Sequence, residues 1–292
     1  MLTDIAAIIA PIFVCAGIGM GWVRLGKPFN TEMVTEISFN LGIPCITFST
    51  LTRLTVSPAA FGEMAVIYII ATVLFLVTGA IVLKLVGLPL TTFLPGQAFC
   101  NNGNMGLPLS LFAFGDTGLA YAISTFVISS IGSFTVGMGI YSGRPSWGLV
   151  WRNPIIYGVL ATLAFMLTGT KPPQWLANTT QMLGGVAIPM MLISLGVAMA
   201  RLKVAGFGRA FGLSVMRIGM GFGVGLALAE VAGLHGAARG VLLMQSAMPV
   251  AVNNYLLAAR FDRSPSEVAG TVVVSTALSF VTLPLLLYFV LG

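Results

Sequence analysis

Charge is what this chain lacks. Asp, Glu, Lys and Arg make up 8% of its 292 residues, where an ordinary soluble domain carries about 25%. Hydrophobic residues reach 57% and the mean hydropathy is +1.00. So little polar surface cannot cover a soluble globule, and the chain reads as integral to a membrane. Histidine occurs once, as His235, and the three cysteines Cys15, Cys45 and Cys100 fall in separate apolar stretches without metal-type spacing. That scarcity excludes a zinc or disulfide framework; the cysteines read as small packing residues and His235 as a loop residue. No Ser/His/Asp set and no nucleotide-binding loop is readable, so neither an enzyme nor a cofactor is expected.

What is present is apolar sequence in membrane-length pieces. A spanning helix needs about 20 apolar residues, and charges, prolines and glycines divide the chain near 3–24, 31–52, 60–84, 89–114, 117–140, 153–169, 174–200, 205–230, 235–260 and 266–290. The run Val66 to Val77 is apolar on every face, without the period-two alternation of a membrane β-barrel, so the class is all-α. The first stretch has no basic leader, because Met1 to Asp4 holds no Lys or Arg, and reads as a retained helix.

The net charge of +6 follows from where the basic residues stand and does not point to nucleic acid. Alternate loops place ten of them (Arg24, Lys27, Lys84, Arg144, Arg152, Arg201, Lys203, Arg209, Arg260, Arg263) on one face and three (Arg53, Lys171, Arg239) on the other. The basic-rich face is expected to be cytoplasmic, with both termini outside an inner, or cell, membrane.

Landmarks recur at about half the chain length. Pro44 and Pro189 are 145 residues apart (189 − 44), and Pro108 and Pro249 are 141 apart (249 − 108). Polar runs interrupt the fourth stretch (Gln97 to Pro108, QAFCNNGNMGLP) and the ninth (Gln245 to Asn254, QSAMPVAVNN). Five spans per half is odd, so the second copy would enter the membrane with opposite polarity. The expected plan is ten helices as a 5+5 inverted repeat: residues 1–140, a cytoplasmic linker at 141–152, and residues 153–292.

An unpaired polar group at bilayer depth costs several kcal/mol, roughly. Gly103, Gly106 and Pro108 are expected to open the fourth helix, and Pro249 the ninth. Two half-helix N-termini would then present N–H groups and positive dipole ends to one cavity, which suits an anion. Amide side chains can serve a carboxylate there: Asn101, Asn102, Asn104, Asn253 and Asn254, with Gln245 and Ser246 nearby. The competing role for these amides is to cap broken helix ends or tie helices together. Arg217 is the fourteenth basic residue, inside the eighth span. It lies about 12 Å along the helix from Arg209, so it either snorkels to the headgroups or pairs with an anionic substrate or with Glu36. No Asp or Glu falls clearly mid-span, which leaves no buried carboxylate pair for protons or sodium.

These residues resemble a bacterial member of the auxin efflux carrier family, which includes malonate permease-like proteins and the plant PIN carriers. The similarity rests on Asn101-Asn102-Gly103-Asn104-Met105-Gly106-Leu107-Pro108 with Phe114-Gly115-Asp116, and on Ala247-Met248-Pro249-Val250-Ala251-Val252-Asn253. Asn153-Pro154, Ala187-Ile188-Pro189 with Leu195-Gly196, Ser275-Thr276 and Leu283-Pro284 extend it over nearly the whole chain. The resemblance implies a scaffold or homodimer domain of spans 1, 2, 6 and 7, and a transport domain of spans 3–5 and 8–10. It also implies broken helices crossing at Pro108 and Pro249, and elevator-type transport of small organic anions such as carboxylates. A sodium-coupled symporter of the related bile-acid carrier type is the alternative; it would need cation ligands beside the crossing. The orientation is open to test: a cysteine placed at position 146 should react with impermeant reagent only from the cytoplasmic side, and labelling only from outside would reverse the topology.

Overall fold

The computed structural model of the protein describes residues 2–53, 57–144 and 154–291, and among these every regular element is helical. The linker expected at 141–152 falls mostly outside them, as do Arg152 and Asn153. In chain order the helices are α1 (Leu2–Arg24), α2 (Thr31–Ile37), α3 (Ile43–Leu51), α4 (Pro58–Leu85), α5 (Leu90–Ala98), α6 (Leu107–Gly132) and α7 (Met138–Ser142). They continue with α8 (Pro154–Thr168), α9 (Gln174–Arg201), α10 (Phe207–Val231), α11 (Gly236–Ser246), α12 (Val252–Arg260) and α13 (Pro265–Leu291). Among the described residues, six helical stretches are long and apolar enough to cross a membrane. The inside-out pattern agrees: Val66, Ile69, Ile70, Val73, Val77 and Ile81 form an exposed stripe along α4, whereas Gln97, Asn102, Arg217, Gln245 and Asn254 are buried. Lipid, not water, suits such an exterior.

Each apolar stretch read from the sequence is helical over most of its described length, but four of them are divided. The fourth is broken between α5 and α6, and the ninth between α11 and α12. Two further divisions, at Ser38–Gly42 and Ser133–Gly137, are single π-helical turns, as is Asn102–Gly106. Proline explains two of the three. Pro44 and Pro108 lack the N–H that would bond four residues back. The residue before each proline bonds five back instead, Ile43 N–H to Ser38 and Leu107 N–H to Asn102, so a wide turn leads into a normal helix. Pro108 therefore stands in the first turn of α6, where its missing donor is harmless. The expected break at Pro108 is corrected to Phe99–Asn101, where Phe99 is extended at φ −109°, ψ 97°. Gly115 (φ 61°, ψ −153°) supplies the bend within α6 that joins the fourth and fifth stretches, a conformation essentially restricted to glycine.

By what they pack against, the helices form two groups. α9 lies against α1, α2 and α3, with α8 on α3. The other group joins α4, α5, α6 and α7 to α10, α11, α12 and α13. Within the first group α1 and α9 approach at mutual glycines: a Cβ on Gly196 would collide with the Ala16 backbone, and one on Gly19 with that of Ile193. Small residues permit this close backbone approach, on which apolar helices in lipid depend. Gly196→Leu should lower the melting temperature of the purified protein, by about 1–3 kcal/mol of overpacking or more, whereas Gly185→Leu, at a position open to the surroundings, should not. Equal thermal stability of the two variants would disprove the tight α1–α9 seam.

Candidate functional site

The two broken helices meet at their breaks. Asn101 N–H donates to Pro249 C=O at 2.8 Å, and Cys100 and Val250 pair as an isolated antiparallel bridge. Buried backbone polar groups must be satisfied, and here side chains from several helices satisfy those that the helices give up. Ser275 Oγ on α13 accepts from Val250 N–H at 3.1 Å. Asn254 Nδ2 donates to Phe99 C=O at 2.9 Å. Asn102 Nδ2 donates to Gln245 Oε1 at 2.7 Å, to the Gln245 carbonyl at 3.2 Å and to Tyr68 Oη at 2.9 Å, and Gln245 Nε2 reaches Ser110 Oγ at 3.3 Å.

Arg217 completes this framework. Its side chain is fully buried on α10 and contacts the ends of both α5 and α11: Nη1 donates to Gln97 C=O, Nη2 to Ser246 C=O and Nε to Met248 C=O at 3.3 Å. Phe75 of α4 covers the guanidinium, with its ring centre 4.5 Å from Cζ. Two of the roles read for Arg217 from the sequence, snorkelling and pairing with Glu36, do not hold. It does not snorkel, and it does not pair with Glu36, which is exposed near the end of α2 while all three guanidinium nitrogens face carbonyls. The reason is local: the last carbonyls of a helix have no intrahelical partner, and two such ends converge beside α10. Gly221, one turn on, keeps the approach open, because a Cβ there would strike the Ser246 carbonyl.

On the other side of the crossing lies a cavity of about 310 Å³. Its deep wall is Asn101, Gly103 and Asn104 from the start of the fourth stretch's second half, with Ala251, Val252 and Asn253 from the start of α12. Both walls are thus helix N-termini, whose first N–H groups have no intrahelical partner. The facing wall comes from the other helix group: Phe39 after α2, and Met191, Ser194 and Arg201 on α9. The cavity reaches the bundle end where α9 stops and α2 begins. There Arg201 donates to Thr31 Oγ1 and Phe29 C=O, both at 2.9 Å. Arg201 is the only charged residue among the lining residues described.

The candidate residues separate accordingly. Asn101, Asn104 and Asn253 line the cavity. Asn101 Nδ2 is buried without a partner, as is Ser194 Oγ across from it. Asn104 and Asn253 are half-buried, and neither side chain hydrogen-bonds to a described residue. Asn102, Asn254, Gln245, Ser246, Pro108 and Pro249 do not line it; they build and tie the crossing. Sequence reasoning passed over Arg201, Ser194 and the serines Ser129, Ser130 and Ser133, which also line the cavity. The three-to-four-residue spacing of those serines was the available signal; Arg201 was masked by its ordinary place in a basic loop.

Two broken helices crossed beside a polar cavity in an apolar helical bundle define the class: this is the architecture of discontinuous-helix membrane transport proteins. Comparison with known proteins points the same way. The profile of the membrane transport protein family matches residues 144–287. An uncharacterized transporter of Methanocaldococcus jannaschii is 26% identical over 63% of this chain and 63% of its own length. An uncharacterized transporter of Methanothermobacter thermautotrophicus is 25% identical over 88% of both chains. Auxin efflux carrier component 1 of Arabidopsis thaliana is 28% identical over 50% of this chain and 24% of its own. The second half of the chain is thus similar to the membrane transport protein family, and the relatives, among them an auxin efflux carrier component, are archaeal and plant proteins, whereas the sequence resemblance pointed to a bacterial one.

The division of labour among the asparagines is testable. Asn102→Ala removes four hydrogen bonds, including one that its Oδ1 accepts from Cys100 Sγ, and strands Gln245 Oε1, at about 1–3 kcal/mol for each buried group left unpaired, so its melting temperature should fall well below that of Asn104→Ala. The reverse order would show that Asn104, not Asn102, holds the crossing together.

Proposed function

We propose that the protein is a secondary carrier for small organic anions, with a carboxylate held at the crossing by Asn101, Asn104, Asn253 and the N–H groups of the two half-helix starts. The observation that carries this reading is a cavity in which open amide and hydroxyl groups face two helix N-termini, and in which the one charged residue among the described lining residues is Arg201. Donors and dipole ends of that sign stabilise an anion and disfavour a cation. Phe39, Phe99, Phe126 and Phe134 supply apolar walls for the organic part of the ligand.

The cavity lies between the two helix groups, which supports an elevator motion. α4–α7 with α10–α13 would carry the anion past a scaffold of α1–α3, α8 and α9, with ten spans in a 5+5 inverted repeat. In the positive-inside orientation the end bearing Arg201 is cytoplasmic, so the cavity faces inward, and the scaffold is the expected homodimer surface in the inner membrane.

Purified protein in a thermal-shift and calorimetric series with malonate, succinate, benzoate and phenylacetate tests the site. A ligand of the native state raises apparent stability by mass action. Alanine at Asn104 or Asn253 should weaken the best of these by about 10- to 150-fold, the value of one hydrogen bond to a charged group, with little loss of melting temperature. Normal affinity with a lowered melting temperature would make these asparagines structural and move the substrate elsewhere.

A further inference from the structure

The side of the crossing away from the cavity poses a separate electrostatic problem. α5 and α11 both end there, each with the partial negative charge of a helix C-terminus and carbonyls that no helical N–H can reach. Three of those carbonyl oxygens, from Gln97, Ser246 and Met248, converge on one point within the protein. Oxygens gathered at half-helix C-termini and unwound backbone are the chemistry by which discontinuous-helix carriers hold a monovalent cation. In this chain the point is filled by the guanidinium of Arg217, fully buried and without a carboxylate among its described contacts.

We propose that Arg217 is the resident cation of the crossing. It supplies, tethered to α10, the positive charge that would otherwise be drawn from solution as sodium or another monovalent ion, so that anion binding on the opposite side needs no dissolved cation. The side chain suits the task. Guanidinium stays charged at every physiological pH, is more weakly hydrated than an ammonium or a metal ion, and presents several donors in one plane. Nε, Nη1 and Nη2 each take a different carbonyl, which a compact ammonium cannot match, and Phe75 offers its ring face to the cation. Arg217 does not line the cavity, so it is a positioning residue: it holds the two helix ends together and leaves their partners, the two helix starts, facing the ligand. Its position in the second helix group means that the charge would travel with the site.

The consequence for transport rests on the carrier reading above, but the cation site itself is testable without a substrate, so the two stand or fall separately. Thermal unfolding of purified protein is followed in choline, sodium, potassium and lithium chloride at equal ionic strength. Wild-type melting temperatures should coincide in the four salts. Arg217→Ala should melt several degrees lower and regain stability saturably with millimolar guanidinium, and not with the same concentration of urea, its neutral isostere. Arg217→Lys should fold, melt below wild type and remain indifferent to sodium, which provides a charged control if the alanine variant does not fold. A wild-type melting temperature that rises selectively in sodium would overturn the proposal. So would an Arg217→Ala variant as stable as wild type, or one rescued equally by urea.

Discussion

The constraint on which this structure depends is that two helices stop at membrane depth. Stopping a helix in water is inexpensive, because solvent takes up the orphaned groups; in hydrocarbon each one needs a partner from the protein. The crossing meets that need with very few side chains. Arg217 serves three carbonyls at two helix ends, Asn102 and Asn254 serve three further carbonyls, and the breaks serve each other through Asn101 N–H and Pro249 C=O. Because the partners come from α10 and from both breaks, the halves of the chain are locked together at this one point.

Polarity divides across that lock. Helix C-termini face Arg217, and helix starts face the cavity, so one side of the crossing is arranged for a cation and the other for an anion. The buried guanidinium completes the first within the chain. The second has open donors, Asn101 Nδ2 and Ser194 Oγ, in a cavity whose only charged wall residue among those described is a second arginine at the mouth. Closed hydrogen bonding on one side and open hydrogen bonding on the other is what distinguishes the part that holds the helices from the part that meets the ligand.

The close approaches around the crossing follow the same logic. Gly221 lets α10 come near enough for Arg217 to reach the Ser246 carbonyl, and Gly196 lets α1 and α9 form the seam behind the facing wall of the cavity. Neither glycine touches the cavity, yet each sets where a wall of it stands.

Much of this was legible in one dimension. Low charge and ten apolar stretches determine a helical membrane protein, because the period and length of apolar runs are local properties of sequence. The two polar runs identify where helices break, because several amides gathered with a proline at that depth need partners that a continuous helix does not supply, and their order and spacing carry the family resemblance. Which polar residue does which task was decided only by tertiary structure. Asn101 and Asn102 are neighbours with identical side chains, but one opens into the cavity and the other is consumed by Gln245 and Tyr68, since a π turn and an extended residue point them apart. Arg217 and Arg201 differ in the same way: sequence offered only a charge at a helical position, while the convergence of two helix ends from distant parts of the chain made Arg217 a buried clamp and left Arg201 at the cavity mouth.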